Sequence, residues 1–130
     1  VRALESGDSI VIFPEGTRFT QAKHGKQQSP FSHLLKPKSG GMAYALDAMG
    51  RGLHAILDVT LYYPNGKPGM WDLIADRVKT VYVDVKLRSI PDAMRNGDYE
   101  NDRTFRVEFQ RWMNGLWQEK QALLESLAKP

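Results

Sequence analysis

The sequence contains no cysteine, and this absence excludes a disulfide framework, a thiolate metal site and a cysteine nucleophile. It also has no apolar run close to the roughly 20 residues that a membrane-spanning helix requires. The phosphate-binding pattern G-x-x-x-x-G-K-[ST] is missing as well. Any chemistry in this chain must therefore come from charged, hydroxyl or histidine side chains and from the backbone.

The length and composition predict one compact unit. A chain of 130 residues with 42% apolar content can support one hydrophobic core, so residues 1–130 are interpreted as a single unit. The opening VRALESGDS resembles the last turn of a helix, with Gly7 as its stop. We therefore interpret the sequence as the C-terminal part of a larger domain.

The positive charges are unevenly distributed. The formal net charge is only +3, but the region from Arg18 to Arg51 holds a single acid, Asp47. Such a patch attracts phosphate, nucleic acid or lipid headgroups, although a solvated loop would show the same composition. Its basic residues are Arg18, Lys23, Lys26, Lys36, Lys38 and Arg51.

Hydrophobic patterning predicts three strands and one long loop. Ser9–Phe13 is interpreted as a short buried strand, and HAILDVTLYYP as a strand that ends at Pro64. The polar segment Thr20–Lys38 is predicted to be a loop. In VKTVYVDVKLRSI, apolar and polar residues alternate, which is typical of a half-buried strand with one apolar side, formed by Val81, Val83, Val85 and Leu87.

Two helices complete the predicted fold. One covers Met42–Met49, and a long amphipathic helix runs from about Thr104 to Leu127. The order strand, helix, strand, strand, helix predicts an α/β fold, with a partial mixed sheet and flanking helices. On the last helix, Trp112 and Trp117 lie five apart, so one is predicted to face the core and the other a neighbouring surface. The aromatic turn residues Tyr62, Tyr63 and Trp71 suit either a membrane interface or the core.

The segment PEGTR places chemistry directly after the first predicted strand. In open α/β sheets, ligands bind beyond the carboxyl ends of strands. Gly16 would allow a ligand to approach the backbone, Thr17 adds a hydroxyl, and Arg18 can grip a phosphate with two hydrogen bonds. Glu15 would orient Arg18 or accept from a substrate hydroxyl. A surface Glu–Arg pair at a turn explains the same residues equally well.

The segment KPKSGG forms a second candidate anion site. Backbone N–H groups at a helix start attract anions, and Lys36 and Lys38 come just before them. They could bind the phosphate of an acceptor or the phosphates of coenzyme A. Alternatively, Pro37 and the glycines only shape the turn into the helix.

FPEGTR resembles a signature block of the glycerolipid acyltransferases, the family that includes the 1-acylglycerol-3-phosphate acyltransferases and the lysophospholipid acyltransferases. LLKPKSGGMAYAL is similar to the family's basic-Pro-basic segment, and ILDVTLYY and FQRWMNGLWQEKQALLESL resemble blocks of the lysocardiolipin-acyltransferase-like branch. The resemblance implies transfer of an acyl group from acyl-CoA or acyl carrier protein to the free hydroxyl of lysophosphatidate or a related lysophospholipid. It also implies no cofactor and no metal. It implies that the acceptor is bound through its phosphate by Glu15, Gly16, Thr17 and Arg18, and that Lys36 and Lys38 bind the phosphate of the acceptor or those of a coenzyme A donor.

The family's catalytic His-x-x-x-x-Asp motif is not found in this sequence. The residues five positions after His24, His33 and His54 are not aspartate, and His54 and Asp58 have the wrong spacing. No catalytic residue is therefore assigned in this chain, and the pair is expected upstream of Val1. His24 and His33 are predicted to be solvated loop residues.

The resemblance also implies where the protein acts. The full-length enzyme is expected at a membrane, on its cytoplasmic face, whereas this chain by itself is expected to be soluble and inactive. Binding of nucleic acid is not expected, because aromatic residues do not alternate with the basic ones. Two alternatives stay open: a non-catalytic module that binds nucleic acid or a membrane surface, and a non-catalytic partner that keeps the acyltransferase fold.

Overall fold

The computed structural model describes residues 9–49, 52–64 and 80–128. Within them, the helices are α1 (Gln21–Gln27), α2 (Ser39–Met49) and α3 (Arg103–Ala128), and a short 3-10 helix covers Asp92–Met94. The strands β1 (Ala55–Tyr62) and β2 (Tyr82–Ser89) form a two-stranded antiparallel sheet. The predicted combination of helices with a sheet is confirmed, and α2, β1, β2 and α3 lie where the sequence places them.

The core forms along one face of α3. This helix has 26 residues, and its N-terminus is capped by Asp102, whose Oδ1 accepts from the Phe105 N–H at 3.2 Å. Phe109, Met113 and Trp117 recur at helical spacing and are buried against α2 and the loop before it. Trp117 is the tryptophan that faces the core, while Trp112 is only partly buried beside Phe109, as the spacing of the two predicts.

The segment Thr20–Lys38 is more ordered than the predicted loop. It contains α1, which Thr20 caps by accepting the Lys23 N–H at 3.1 Å, and which ends at Gln28 with a φ of +50°. The segment then contributes Phe31 and Leu35 to the buried core. The helix escapes prediction because none of its residues is buried, so its sequence carries no apolar period.

Ser9–Phe13 is not a strand in the structure, so that prediction is wrong. The segment is extended chain without a ladder, and the side chains of Val11 and Phe13 are 79% and 80% exposed. A strand needs a hydrogen-bonded neighbour, and in the described part of the chain the sheet consists of β1 and β2 alone. Apolar composition by itself could not reveal that a neighbour is lacking.

The sheet exposes its apolar face and turns its polar face towards α3, which is the opposite of what the alternation in β2 predicts. The alternation in β2 is confirmed, but Val83, Val85 and Leu87 lie on the exposed face, at 58–70% exposure. They pair across the sheet with apolar residues of β1 in the register Leu61↔Val83, Val59↔Val85 and Leu57↔Leu87. The polar side of the sheet faces α3 instead.

A network of ion pairs explains this reversal. Asp58 on β1 receives Lys120 Nζ at 2.7 Å on one carboxylate oxygen and Arg88 Nε at 2.9 Å on the other. Arg88 also pairs with Glu119, while Lys120 donates to the Val59 carbonyl at 3.0 Å. Adjacent residues of α3 are thus bonded to the two strands, and the polar face of the sheet is fixed to the helix.

No helix in the described ranges is long and apolar enough to cross a membrane. The aromatic turn around Trp71, the charge of Arg51 and the helical end predicted before Gly7 lie outside the described residues. The structure does not test those three predictions.

Candidate functional site

A tight turn forms the centre of the candidate site. The Gly16 N–H donates to the Phe13 carbonyl at 2.9 Å, which closes a β-turn over Pro14 and Glu15. Proline suits the second position of this turn because its φ is fixed, and Gly16 adopts a φ of +72°, which glycine tolerates best. The P-E-G sequence therefore determines the backbone that presents Thr17 and Arg18.

Glu15 connects the turn to the buried part of the loop. Its Oε1 accepts the Leu35 N–H at 3.1 Å, and the Leu35 carbonyl accepts the Trp117 Nε1–H at 3.0 Å. Leu35 is completely buried, so both of its backbone groups are paired inside the protein. This chain of contacts connects the turn to α3, and it assigns Glu15 a role in positioning the loop.

Lys38 lies directly against the turn. Its backbone N–H donates to the Pro14 carbonyl at 2.7 Å. Its side chain passes so close to Gly16 that a Cβ atom built there would lie 3.3 Å from Lys38 Cδ and 3.4 Å from Lys38 Nζ. Because Lys38 immediately precedes Ser39, the first residue of α2, these contacts bring FPEGTR and KPKSGG together.

The structure adds a residue that sequence reasoning missed. Lys23, on α1, turns back towards the motif and donates from Nζ to Thr17 Oγ1 at 2.6 Å and to the Arg18 carbonyl at 3.3 Å. All three residues are exposed. The sequence showed Lys23 only as one of six basic residues, since its contact with Thr17 depends on the reversal of the chain at Thr20.

Arg18 and Lys36 are placed differently. Arg18 is exposed, and its carbonyl accepts from Lys23 Nζ at 3.3 Å. Lys36 is bonded through its backbone N–H to Gln27 Oε1 at 3.1 Å, and it lines a groove between the loop and α3, with Phe31, Gln118 and Glu125. Of the six predicted binding residues, the contacts of the turn thus bring together Glu15, Gly16, Thr17, the backbone of Arg18, and Lys38.

The two loop histidines have structural partners, so the prediction that they are solvated is wrong. His24 Nε2 lies 2.7 Å from the Phe31 carbonyl, which fixes α1 to the buried part of the loop. His33 Nδ1 lies 2.9 Å from Gln121 Nε2, which also donates to Ser32 Oγ at 2.6 Å, and the backbone N–H of His33 donates to Gln121 Oε1 at 2.9 Å. Gln121 is buried on α3 and supports the loop, a role that its place in an amphipathic helix does not reveal.

Asp58 bonds to Arg88 and Lys120, which assigns it to the structural network. In the ranges that the structure describes, no group of three or more His, Asp or Glu residues could hold a metal ion. What the turn offers is therefore a set of donors and positive charges, namely Thr17, Arg18, Lys23 and Lys38. Such a set can bind and orient an anion, but it contains no base with the geometry to accept a proton from a substrate.

Comparisons with known proteins connect this chain to lipid enzymes. It is 26% identical over 133 residues to "2-acyl-1-lysophosphatidylinositol acyltransferase" of Saccharomyces cerevisiae. It is 30% identical over 125 residues to "1-acyl-sn-glycerol-3-phosphate acyltransferase gamma" of Mus musculus, and 29% over 126 residues to "1-acyl-sn-glycerol-3-phosphate acyltransferase 2" of Brassica oleracea. No family model matches the chain, and no solved structure matches it significantly.

The matches cover 89–90% of this chain but only 30–32% of each of these three relatives. The chain therefore spans about a third of the length of the curated relatives it matches. The relatives include enzymes named for two different acceptors, so the placement nearest the lysocardiolipin branch stays a prediction. By sequence, the chain is similar to glycerolipid acyltransferases over most of its own length, as the FPEGTR block predicts.

Proposed function

We propose that the protein carrying this chain transfers an acyl group from an acyl thioester to the free hydroxyl of a lysophospholipid. The acceptor would be lysophosphatidate or a related lipid, and the donor acyl-CoA or acyl carrier protein. One observation carries the proposal: the packing of Lys38 on Gly16 joins the two motifs that the resemblance assigns to substrate binding. The relatives' names supply the reaction class.

In this proposal, the chain binds and orients the acceptor. Arg18 can donate two parallel hydrogen bonds to the phosphate, and Lys38, which packs on Gly16, adds a second positive charge. Fixing the headgroup holds the free hydroxyl in one place, and such positioning can supply a large part of a rate enhancement. Among the described residues, Lys36 is bonded through its backbone N–H to Gln27 and lines the groove beside α3, so it is not included in the proposed phosphate site.

The proton chemistry would lie outside this chain. A histidine oriented by an aspartate would remove the hydroxyl proton as the oxygen attacks the thioester carbonyl. The carbon–sulfur bond then breaks, and the thiol carrier leaves with a proton, which gives the diacyl lipid. We propose that the intact protein contains this His-x-x-x-x-Asp pair in a part that precedes the sequence described above.

Replacement of Arg18 by alanine tests the proposal. In the full-length protein, expressed in membranes that lack other acyltransferases of this class, Arg18→Ala should lower kcat/KM for the acceptor about a hundredfold, since two charge-assisted bonds are lost. Arg111→Ala is the matched control, because Arg111 is an exposed arginine of α3. Equal activity of the two variants at equal protein levels would refute the binding role of Arg18.

The alternative of a non-catalytic anion-binding module lacks a supporting observation. Among the described residues, Lys23 and Lys38 contact residues 16–18 of one turn rather than an extended track, and the relatives are named as acyltransferases. An extended track is what backbone binding of nucleic acid requires. The acyltransferase reading therefore accounts for more of the geometry.

A further inference from the structure

Lys23 is held in place at both ends of its side chain. Its backbone N–H is bonded to the Thr20 hydroxyl that caps α1, and its ammonium group is bonded to Thr17 and to the Arg18 carbonyl. α1 is itself fixed to the loop through the contact of His24 with the Phe31 carbonyl. An exposed lysine usually samples many rotamers, whereas this one is directed at two consecutive motif residues.

The protons of this contact determine what it can bind. An ammonium group has three N–H donors and no acceptor, and two of its donors are directed at Thr17 Oγ1 and the Arg18 carbonyl. One N–H remains for a further acceptor. Thr17 Oγ1 accepts from the ammonium group, so the Thr17 hydroxyl must direct its own proton away from Lys23. The pair therefore presents two donors side by side at the exposed edge of the turn.

The surrounding charges point to an anion with more than one negative charge. Lys23 contacts residues 17 and 18, Lys38 contacts residue 16, and Arg18 belongs to the same stretch. The side chains of Lys23 and Lys38 thus both lie against residues 16–18, and the Glu15 carboxylate accepts from the Leu35 backbone. The attraction between these positive side chains and an anion grows with the charge of the anion.

We propose that Lys23 is a further ligand of the acceptor phosphate, that it orients Thr17 as a second donor, and that the resulting cluster favours a phosphate monoester over a diester. A monoester carries a charge of about −1.5 to −2 at neutral pH and three terminal oxygens. A diester carries one charge and two such oxygens. The inference rests on the proposed function, because it assumes that this turn binds the acceptor.

Acceptor kinetics of Lys23→Gln in the full-length protein test the inference. The probes are lysophosphatidate, a monoester, and lysophosphatidylinositol, a diester, with the same acyl-CoA donor. Loss of a charge-assisted bond should lower kcat/KM for lysophosphatidate about tenfold, mainly through KM. The loss for lysophosphatidylinositol should be about threefold, and the KM for acyl-CoA should not change. Lys23→Arg should recover most of the lost activity.

Two matched variants make the result decisive. Lys26→Gln removes the same charge from the same helix, and Lys26 is exposed and has no contact with the motif among the described residues, so it should stay within twofold of wild type. Thr17→Val combined with Lys23→Gln should cost less than the sum of the two single losses, because the two side chains share one interaction.

The outcomes separate this inference from the proposed function. If Lys23→Gln matches Lys26→Gln, or loses both acceptors equally, the inference is overturned while an inactive Arg18→Ala still supports the proposed function. If Arg18→Ala keeps full activity, the proposed function fails whatever Lys23 does. A rise in the KM for acyl-CoA would show that Lys23 binds the donor, which also overturns the inference.

Discussion

Replacing Asp58 by asparagine should detach the sheet from α3 without changing the size of the side chain. The Asp58 carboxylate bonds Lys120 Nζ at 2.7 Å and Arg88 Nε at 2.9 Å, and these three side chains are only 10–14% exposed. The amide of asparagine carries no charge, so the nearly buried Lys120 would lose its carboxylate partner, and Arg88 would keep the half-exposed Glu119. Asp58→Asn is therefore expected to weaken the structure far more than the loss of an exposed carboxylate.

The expected cost follows from the burial of the network. Removing one partner of a fully buried ion pair costs about 3–5 kcal/mol, because a charge is left without compensation. The remaining exposure, and the hydrogen bond that asparagine can still accept, reduce this to about 2 kcal/mol. For a chain of this size, a loss of about 2 kcal/mol corresponds to a fall of roughly 8 °C in Tm.

The same carboxylate should make the loss depend on pH. Burial would raise the pKa of Asp58, but the hydrogen bonds and charges of Lys120 and Arg88 outweigh it and hold that pKa below its ordinary value. A lowered pKa contributes stability that is present above the unfolded-state value of about 3.9 and is lost as the pH falls through the folded-state value. The gap in Tm between wild type and Asp58→Asn should therefore be full at pH 7 and should narrow in acid.

Thermal unfolding of the chain, followed by far-UV circular dichroism across this pH range, measures both effects. Glu108→Gln is the control, since Glu108 is an exposed acid of α3. It removes one negative charge without breaking the network. Two results would refute the role given to the network: a loss of Tm for Asp58→Asn that equals the loss for Glu108→Gln, or a loss for Asp58→Asn that stays constant down to acid pH.

Two further changes test the supports of the turn. Gly16→Ala should lower acyltransferase kcat/KM of the full-length protein about tenfold, because alanine is strained by about 1–2 kcal/mol at a positive φ and its Cβ would press on Lys38. Gly25→Ala is the control, because a Cβ there meets nothing within 4 Å, and it should leave kcat/KM unchanged. Equal activities of the two variants would contradict the geometry of the turn. Trp117→Phe should lower the free energy of unfolding by about 1–3 kcal/mol in denaturant titrations, because the buried Leu35 carbonyl loses its donor; an unchanged midpoint would show that this bond contributes nothing.

Much of the fold could be predicted because it is recorded in local patterns. The helical period of α3 and the alternation in β2 are properties of the sequence alone. Ser9–Phe13 carries an equally apolar pattern, but whether it forms a strand depends on a neighbour, and pattern reading assumed one. The buried side of the sheet was reversed for a similar reason, since Asp58 and Arg88 become favourable inside only when α3 supplies Lys120 and Glu119.

Within the candidate site, too, some residues can be recognised from local sequence, whereas others depend on contacts between distant parts of the chain. The residues of FPEGTR are contiguous, so their resemblance to a family block was visible in the sequence. The sequence does not distinguish Lys23 from the other basic residues, because its contact with Thr17 arises from a short polar helix without an apolar period. The positioning role of Glu15 was hidden too, since its partner is the backbone of Leu35, twenty residues on, and a backbone N–H has no sequence signature.

The backbone contacts of Leu35 limit insertions and deletions in the segment between Gln28 and Leu35. Surface connections generally tolerate inserted and deleted residues, but Leu35 is bonded through its N–H to the turn and through its carbonyl to α3. One added or missing residue between Gln28 and Leu35 would shift a different peptide unit into this position. Its amide and carbonyl would then face the wrong neighbours, so the number of residues in this connection is as constrained as that in a regular strand.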